Sequence, residues 1–238
     1  MTALVFALLA ALGNVAGGLV MVRHARRGLS VIESFVAFGA GFLLGVAFLD
    51  VLPEAYRAGG AGAFWYVFLG YLLVHVTQHT VTVHFHFGEE THSVSRAAGR
   101  SALVGLLLHT LFDGVAIASG FAVSRPLGTM LFFAILLHKL PEGVTITSLQ
   151  LASGRRPGQA IGSAALLGVA TVLGVVAHDA IGPLAVHGLA LSAGVAIYVG
   201  ASNLVPAFQD KRDLRTAVAF LAGAASSAGA QVLLGSGG

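Results

Sequence analysis

Two stretches of an otherwise apolar chain carry side chains able to do chemistry. LLLHTLFDGVAIASG contains His109 and Asp113, and FFAILLHKLPEGVTITS contains His138 and Glu142, so the pattern H-x-x-x-[D/E]-G occurs twice. Residues four apart lie one turn above each other on a helix, which places each histidine and its acid on one face. Two neutral imidazoles and two carboxylates suit a borderline divalent ion, and the two negative charges would neutralise it in a low-dielectric site. His109, Asp113, His138 and Glu142 are therefore the predicted metal ligands. The chain has no cysteine, so thiolate ligation and disulfides are excluded.

The elements that must position these residues are membrane helices. Of 238 residues, 56% are hydrophobic and only 10% charged, against about 25% charged in an ordinary soluble domain. Apolar stretches of about 20 residues, enough to cross roughly 30 Å of hydrocarbon, recur near 2–22, 34–52, 63–83, 102–123, 127–149, 160–178, 184–205 and 216–235. They predict an all-α, polytopic membrane protein with eight transmembrane helices, one transmembrane domain over residues 1–238. No cation precedes the first segment, which argues for a retained helix rather than a leader. The 32 glycines fit helices that pack closely in lipid, Gly13, Gly17 and Gly18 among them.

The basic residues report orientation. With the N-terminus outside, the inner loops hold Arg23, Arg26, Arg27, Arg96, Arg100, Arg155, Arg156, Lys211, Arg212 and Arg215, ten of the thirteen cations. Arg57 and Arg125 fall outside and Lys139 lies within a helix. The positive-inside rule thus predicts both termini outside. Because every basic cluster lies between apolar segments, the high pI reflects topology and not a nucleic-acid partner.

A charge at mid-bilayer is expensive and marks a candidate site. The two motif helices follow one another and run antiparallel, so His109 and Glu142 sit at one depth, and Asp113 and His138 one turn (about four residues) deeper. Ion pairs serving only to hold helices together are a costly device where small residues suffice. Pro141 frees the carbonyl of Leu137, which predicts a loosened helix beside the ligands. Lys139 needs a carboxylate partner, with Asp50, Asp113 and Asp179 as candidates. Alternatively, or in addition, its ammonium stands in for a second metal ion.

HTLFDG and HKLPEG on consecutive helices resemble the fourth- and fifth-helix motifs of the ZIP (Zrt/Irt-like) metal transporters. GFLLGVAFLDVLPEA is similar to that family's second helix and YVGASNLVPAF to its seventh. The resemblance implies uptake of zinc or a related divalent ion (Fe2+, Mn2+ or Cd2+) towards the cytoplasm across the cell membrane, and usually a homodimer. It further implies elevator-like movement of helices one, four, five and six against the others. Many relatives carry an amide or acid directly after each motif histidine, building a second metal site. Thr110 and Lys139 stand there, Ser202 or Asn203 replaces an often acidic seventh-helix position, and one metal site is expected.

Other polar groups lie outside the two motifs. His75 and His79, beside Gln78, are either a packed polar pair or an auxiliary metal station. His84, His86, Glu89, Glu90 and His92 form an inner-side cluster that either receives released metal or is simply solvated. Asp50 and Glu54 lie four apart at an outer helix end, where they either attract cations at the entrance or are ordinary solvated acids. His178 and Asp179 end the sixth segment on the outside and read as an interfacial pair with a lesser claim to the pathway. An intramembrane zinc hydrolase is the alternative function, but HExxH and GxSxG are absent, and transport without enzymatic activity is expected.

Overall fold

The computed structural model describes residues 2–24, 30–81, 96–206 and 213–235, and among them every regular element is helical. In chain order these are α1 Thr2–His24, α2 Ser30–Val46, α3 Leu52–Gly59, α4 Ala63–Val76, α5 Arg96–Val123, α6 Arg125–Ala152, α7 Pro157–Ala180, α8 Gly182–Tyr198 and α9 Leu214–Gly235. Wider π-helical turns follow α2 (Ala47–Val51), α4 (Thr77–Val81) and α8 (Val199–Leu204). The inner-side cluster of His84, His86, Glu89, Glu90 and His92 lies outside the described residues, as do Arg26, Arg27, Lys211 and Arg212.

Among the described residues, six stretches are long and apolar enough to cross a membrane. One of them, Ser34–His79, spans 46 residues and contains α2, α3 and α4. It is interrupted at Gly60, whose φ of +57° is a backbone conformation that side-chain-bearing residues rarely adopt. Both arms of this stretch pack against α8. Large apolar residues such as Leu12, Trp65, Val186 and Leu221 face outward, while His109, Asp113, His138, Lys139 and Glu142 are buried. That inverted distribution is the one a hydrocarbon surround selects, and it makes the chain a multi-pass membrane protein.

The helices form two groups. In one, α1 packs along α6 and α7, and α5 packs along α6 and α7. In the other, α9 lies on α2 and α8 on α4, with the π turns after α2 and α8 joining the pairs. The seam between the groups runs along α2 against α6 and α5 against α8. Small residues set the closeness within the first group: a Cβ on Gly143 of α6 would overlap the main-chain carbonyl of Asn14 on α1. The backbones therefore touch, as lipid-embedded helices require when no hydrophobic drive pulls them together.

The corner between α5 and α6 fixes their register. Only Ser124 is non-helical there, in an extended conformation, and its Oγ accepts the N–H of Leu127 at 3.3 Å. A serine N-cap followed by Pro126 in the first turn starts a helix abruptly. With no loop to give slack, α6 returns along α5, and the two motifs meet.

Candidate metal centre

The four sequence-predicted ligands converge. His109 and Asp113 come from α5, and His138 and Glu142 from α6. Each is buried, and one donor atom from each lies within 4.8 Å of the others. Asp113 is the hub: its Oδ2 is 3.4 Å from His109 Nε2 and 3.3 Å from His138 Nε2. His138 donates Nδ1–H to the carbonyl of Ala134 at 3.0 Å. This second bond fixes the ring and leaves Nε2 to the site, as supporting groups do for metal-ligating imidazoles.

Lys139 is fully buried and enters the same cluster. Its Nζ lies 2.6 Å from Asp113 Oδ2 and 2.8 Å from Glu142 Oε2. Of the three partners that the sequence allowed, Asp113 is the one used, and Glu142 joins it. The simple charge count of two acids against one dication is thereby changed, since one ammonium already holds both carboxylates. A tetrahedral zinc with ligands at about 2.0–2.2 Å needs its donors roughly 3.3 Å apart, so a spread reaching 4.8 Å is somewhat wide.

Asn14 of α1 was not legible as a site residue. It is completely buried, and with its amide nitrogen turned toward α6 it donates to the Lys139 carbonyl at 2.7 Å and to Glu142 Oε2 at 3.2 Å. That orientation satisfies both ends of the amide. The available signal was an amide within an apolar segment, LLAALGNVAGG. Glu142 Oε1 and His109 Nδ1 remain buried without a hydrogen-bond partner among the described residues.

A family model of the ZIP zinc transporters matches residues 88–231, more than half of the chain and all of α5 to α8. The chain belongs to the ZIP zinc transporter family. No curated protein matches it in sequence. Members of the ZIP family carry zinc and related divalent metals across membranes, which implies divalent metal transport for this chain, and its buried His/Asp/Glu cluster fits a metal site. The second-helix motif lies outside the matched residues.

The remaining polar candidates of this ZIP protein stand apart from the cluster. Thr110 turns its hydroxyl back to the carbonyls of Leu106 and Leu107, at 2.9 and 3.1 Å, and offers no ligand. Glu54 pairs with Arg57 at 2.8 Å, whereas Asp50 Oδ2 is buried without a partner among the described residues. His75 and His79 pack ring against ring with centroids 3.9 Å apart, and His79 donates Nδ1–H to the carbonyl of His75 at 2.8 Å. The rings of Tyr71 and Tyr198 flank His75 at 6.3 and 5.7 Å. Pro141 leaves α6 unbroken from Arg125 to Ala152, so the expected loosening takes no form beyond the missing donor. Ser202 and Asn203 lie in the π turn after α8.

Proposed function

We propose that this ZIP protein takes up a divalent transition metal, zinc first and Fe2+, Mn2+ or Cd2+ as related cargo, towards the cytoplasm through one site: His109, Asp113, His138 and Glu142. The observation that carries this reading is the buried cluster itself, four donors within 4.8 Å on two adjacent helices of one group. Its two carboxylates and two imidazoles are the ligand chemistry of a borderline dication.

Lys139 acts as the fixed charge of a missing second ion. Its ammonium is held by both acids, so a bound dication leaves the site with an excess positive charge, which keeps the ion loose enough to release. The protein is one transmembrane domain of eight spans with both termini outside: the 46-residue stretch broken at Gly60 counts as two spans, and α8 with its π turn as another. In the cell membrane it works as a homodimer.

Movement follows the grouping of helices. Helices α1, α5, α6 and α7 carry the site, and α2, α4, α8 and α9 stand against them, so the first group slides as an elevator along the seam. The test is zinc flux into proteoliposomes bearing the wild type or His138→Ala/Glu142→Ala, with folding and insertion matched. Flux in the wild type that vanishes in the variant is expected. Unchanged flux in the variant would remove the site assignment, and no flux in either protein would remove the transport reading.

A further inference from the structure

Helix α7 ends in an imidazole that points into the protein. His178 is 5% exposed, while the neighbouring Asp179 carboxylate is largely in the open. His178 Nδ1 lies 2.9 Å from Asp179 Oδ1. A carboxylate can only accept there, so Nδ1 carries the hydrogen and Nε2 keeps its lone pair. That Nε2 is buried and has no hydrogen-bond partner among the described residues.

A second orphan faces the same place. Ser119 of α5 is 4% exposed, and its Oγ also lacks a partner among the described residues. The common wall is Gly188 of α8: a Cβ there would lie 2.7 Å from Ser119 Oγ and 3.5 Å from His178 Cδ2, the carbon bonded to Nε2. Ser192, one turn further along α8, has an unpartnered buried Oγ as well. Leaving a buried donor or acceptor unmade costs about 1–3 kcal/mol each. Those of Ser119 and His178 face the same glycine of α8, and each keeps a lone pair that a polar guest can use.

The guest's chemistry follows from the dyad. A carboxylate behind an imidazole orients it and leaves the far nitrogen to a ligand, the support arrangement of metal-bound histidines. The hydroxyl supplies a neutral oxygen, and exposed Asp179 supplies negative charge toward solvent. Ser119 lies six residues beyond Asp113 on α5, about 9 Å away at 1.5 Å per residue. It sits toward the α5–α6 corner and at the seam between the two helix groups. We propose that Asp179, His178 and Ser119 form an outer way station that takes a partly hydrated divalent cation before it reaches the four-ligand site. The proposal rests on the transport reading above.

The chain's lack of cysteine makes the test clean. Ser119→Cys is nearly isosteric and introduces a soft ligand beside His178. In proteoliposomes, Ser119→Cys is expected to react with a membrane-impermeant thiol reagent from the outer side, and Cd2+ to slow that reaction. Cd2+ should block its zinc flux at a concentration about tenfold lower than in the wild type, because thiolate plus imidazole favours this ion. Adding His178→Ala should abolish that gain. Separately, His178→Ala and the surface variant Asp179→Asn should each raise the KM for zinc at least about threefold, through loss of ligand and of ligand support. An unreactive Ser119→Cys with wild-type Cd2+ sensitivity would overturn the station. If Ser119→Cys does not fold, an unchanged KM in His178→Ala and Asp179→Asn overturns it equally. Absence of flux in the wild type would instead sink the transport reading, and its survival in His138→Ala/Glu142→Ala would sink the four-ligand site.

Discussion

Lys139 Nζ bridges Asp113 on the neighbouring helix, at 2.6 Å, and Glu142 on its own, at 2.8 Å, with no exposure of the lysine to solvent. One cation thus holds both acids of the candidate metal centre, and the three form an ion triad rather than a bare dianion. Lys139→Met should uncouple two properties. Without metal the variant loses about 3–5 kcal/mol, because two buried carboxylates lose their partner. Its zinc affinity rises about tenfold or more, equivalent to at least about 1.4 kcal/mol, because the dication no longer competes with an ammonium. Thermal melts with and without zinc, together with a zinc titration, check both. A variant that binds zinc no more tightly than the wild type would show that Lys139 does not oppose the metal.

Asn14 ties α1 to the centre through the Lys139 carbonyl and Glu142 Oε2. Asn14→Ala should therefore cost about 1–3 kcal/mol of stability, the usual penalty for stranding buried polar partners. It should also weaken zinc binding, since Glu142 loses the donor that positions it. Chemical or thermal denaturation and equilibrium zinc binding measure the two effects, and loss of stability with unaltered affinity would make Asn14 purely structural.

Gly143 has no room for a side chain, because its Cβ would meet the Asn14 carbonyl. Gly143→Ala should force α1 from α6 and destabilise the protein by about 1–3 kcal/mol or more, as overpacking does. Gly158, at the start of α7, is open: a Cβ there would meet nothing within 4 Å. Gly158→Ala should be neutral or stabilising by up to about 1 kcal/mol through helix propensity. Comparing melting temperatures and zinc flux of the two variants tests whether backbone contact between α1 and α6 matters.

Single cysteines test the orientation. Ala61→Cys between α3 and α4 should react with an impermeant thiol reagent from outside. Gly158→Cys and Asp213→Cys, at the starts of α7 and α9, should react only after the inner face is opened; all three positions are exposed. The opposite pattern would invert the arginine-based topology and with it the proposed direction of transport.

Much of this protein is written in its residue pattern. Apolar runs and helix-length periodicity are local properties of the chain, so helices near the expected ranges, and the pairing of each motif histidine with an acid one turn away, follow from sequence spacing alone. The antiparallel depth argument that joined His109, Asp113, His138 and Glu142 worked for the same reason, since α5 and α6 are consecutive and turn at a single residue, Ser124. Lys139 was visible as an anomaly but not as a bridge. Its partner on α5 depends on the rotation of α6 and on which carboxylate its side chain reaches, and three acids satisfied the sequence equally well. Asn14 lies far from both motifs along the chain, and only glycine-mediated contact between α1 and α6 brings its amide to Glu142. The convergence of His178, Ser119 and Gly188 from three helices is likewise a property of tertiary packing. Spacing along one helix is fixed by covalent geometry, whereas distances between helices are set by packing of side chains that no local pattern encodes.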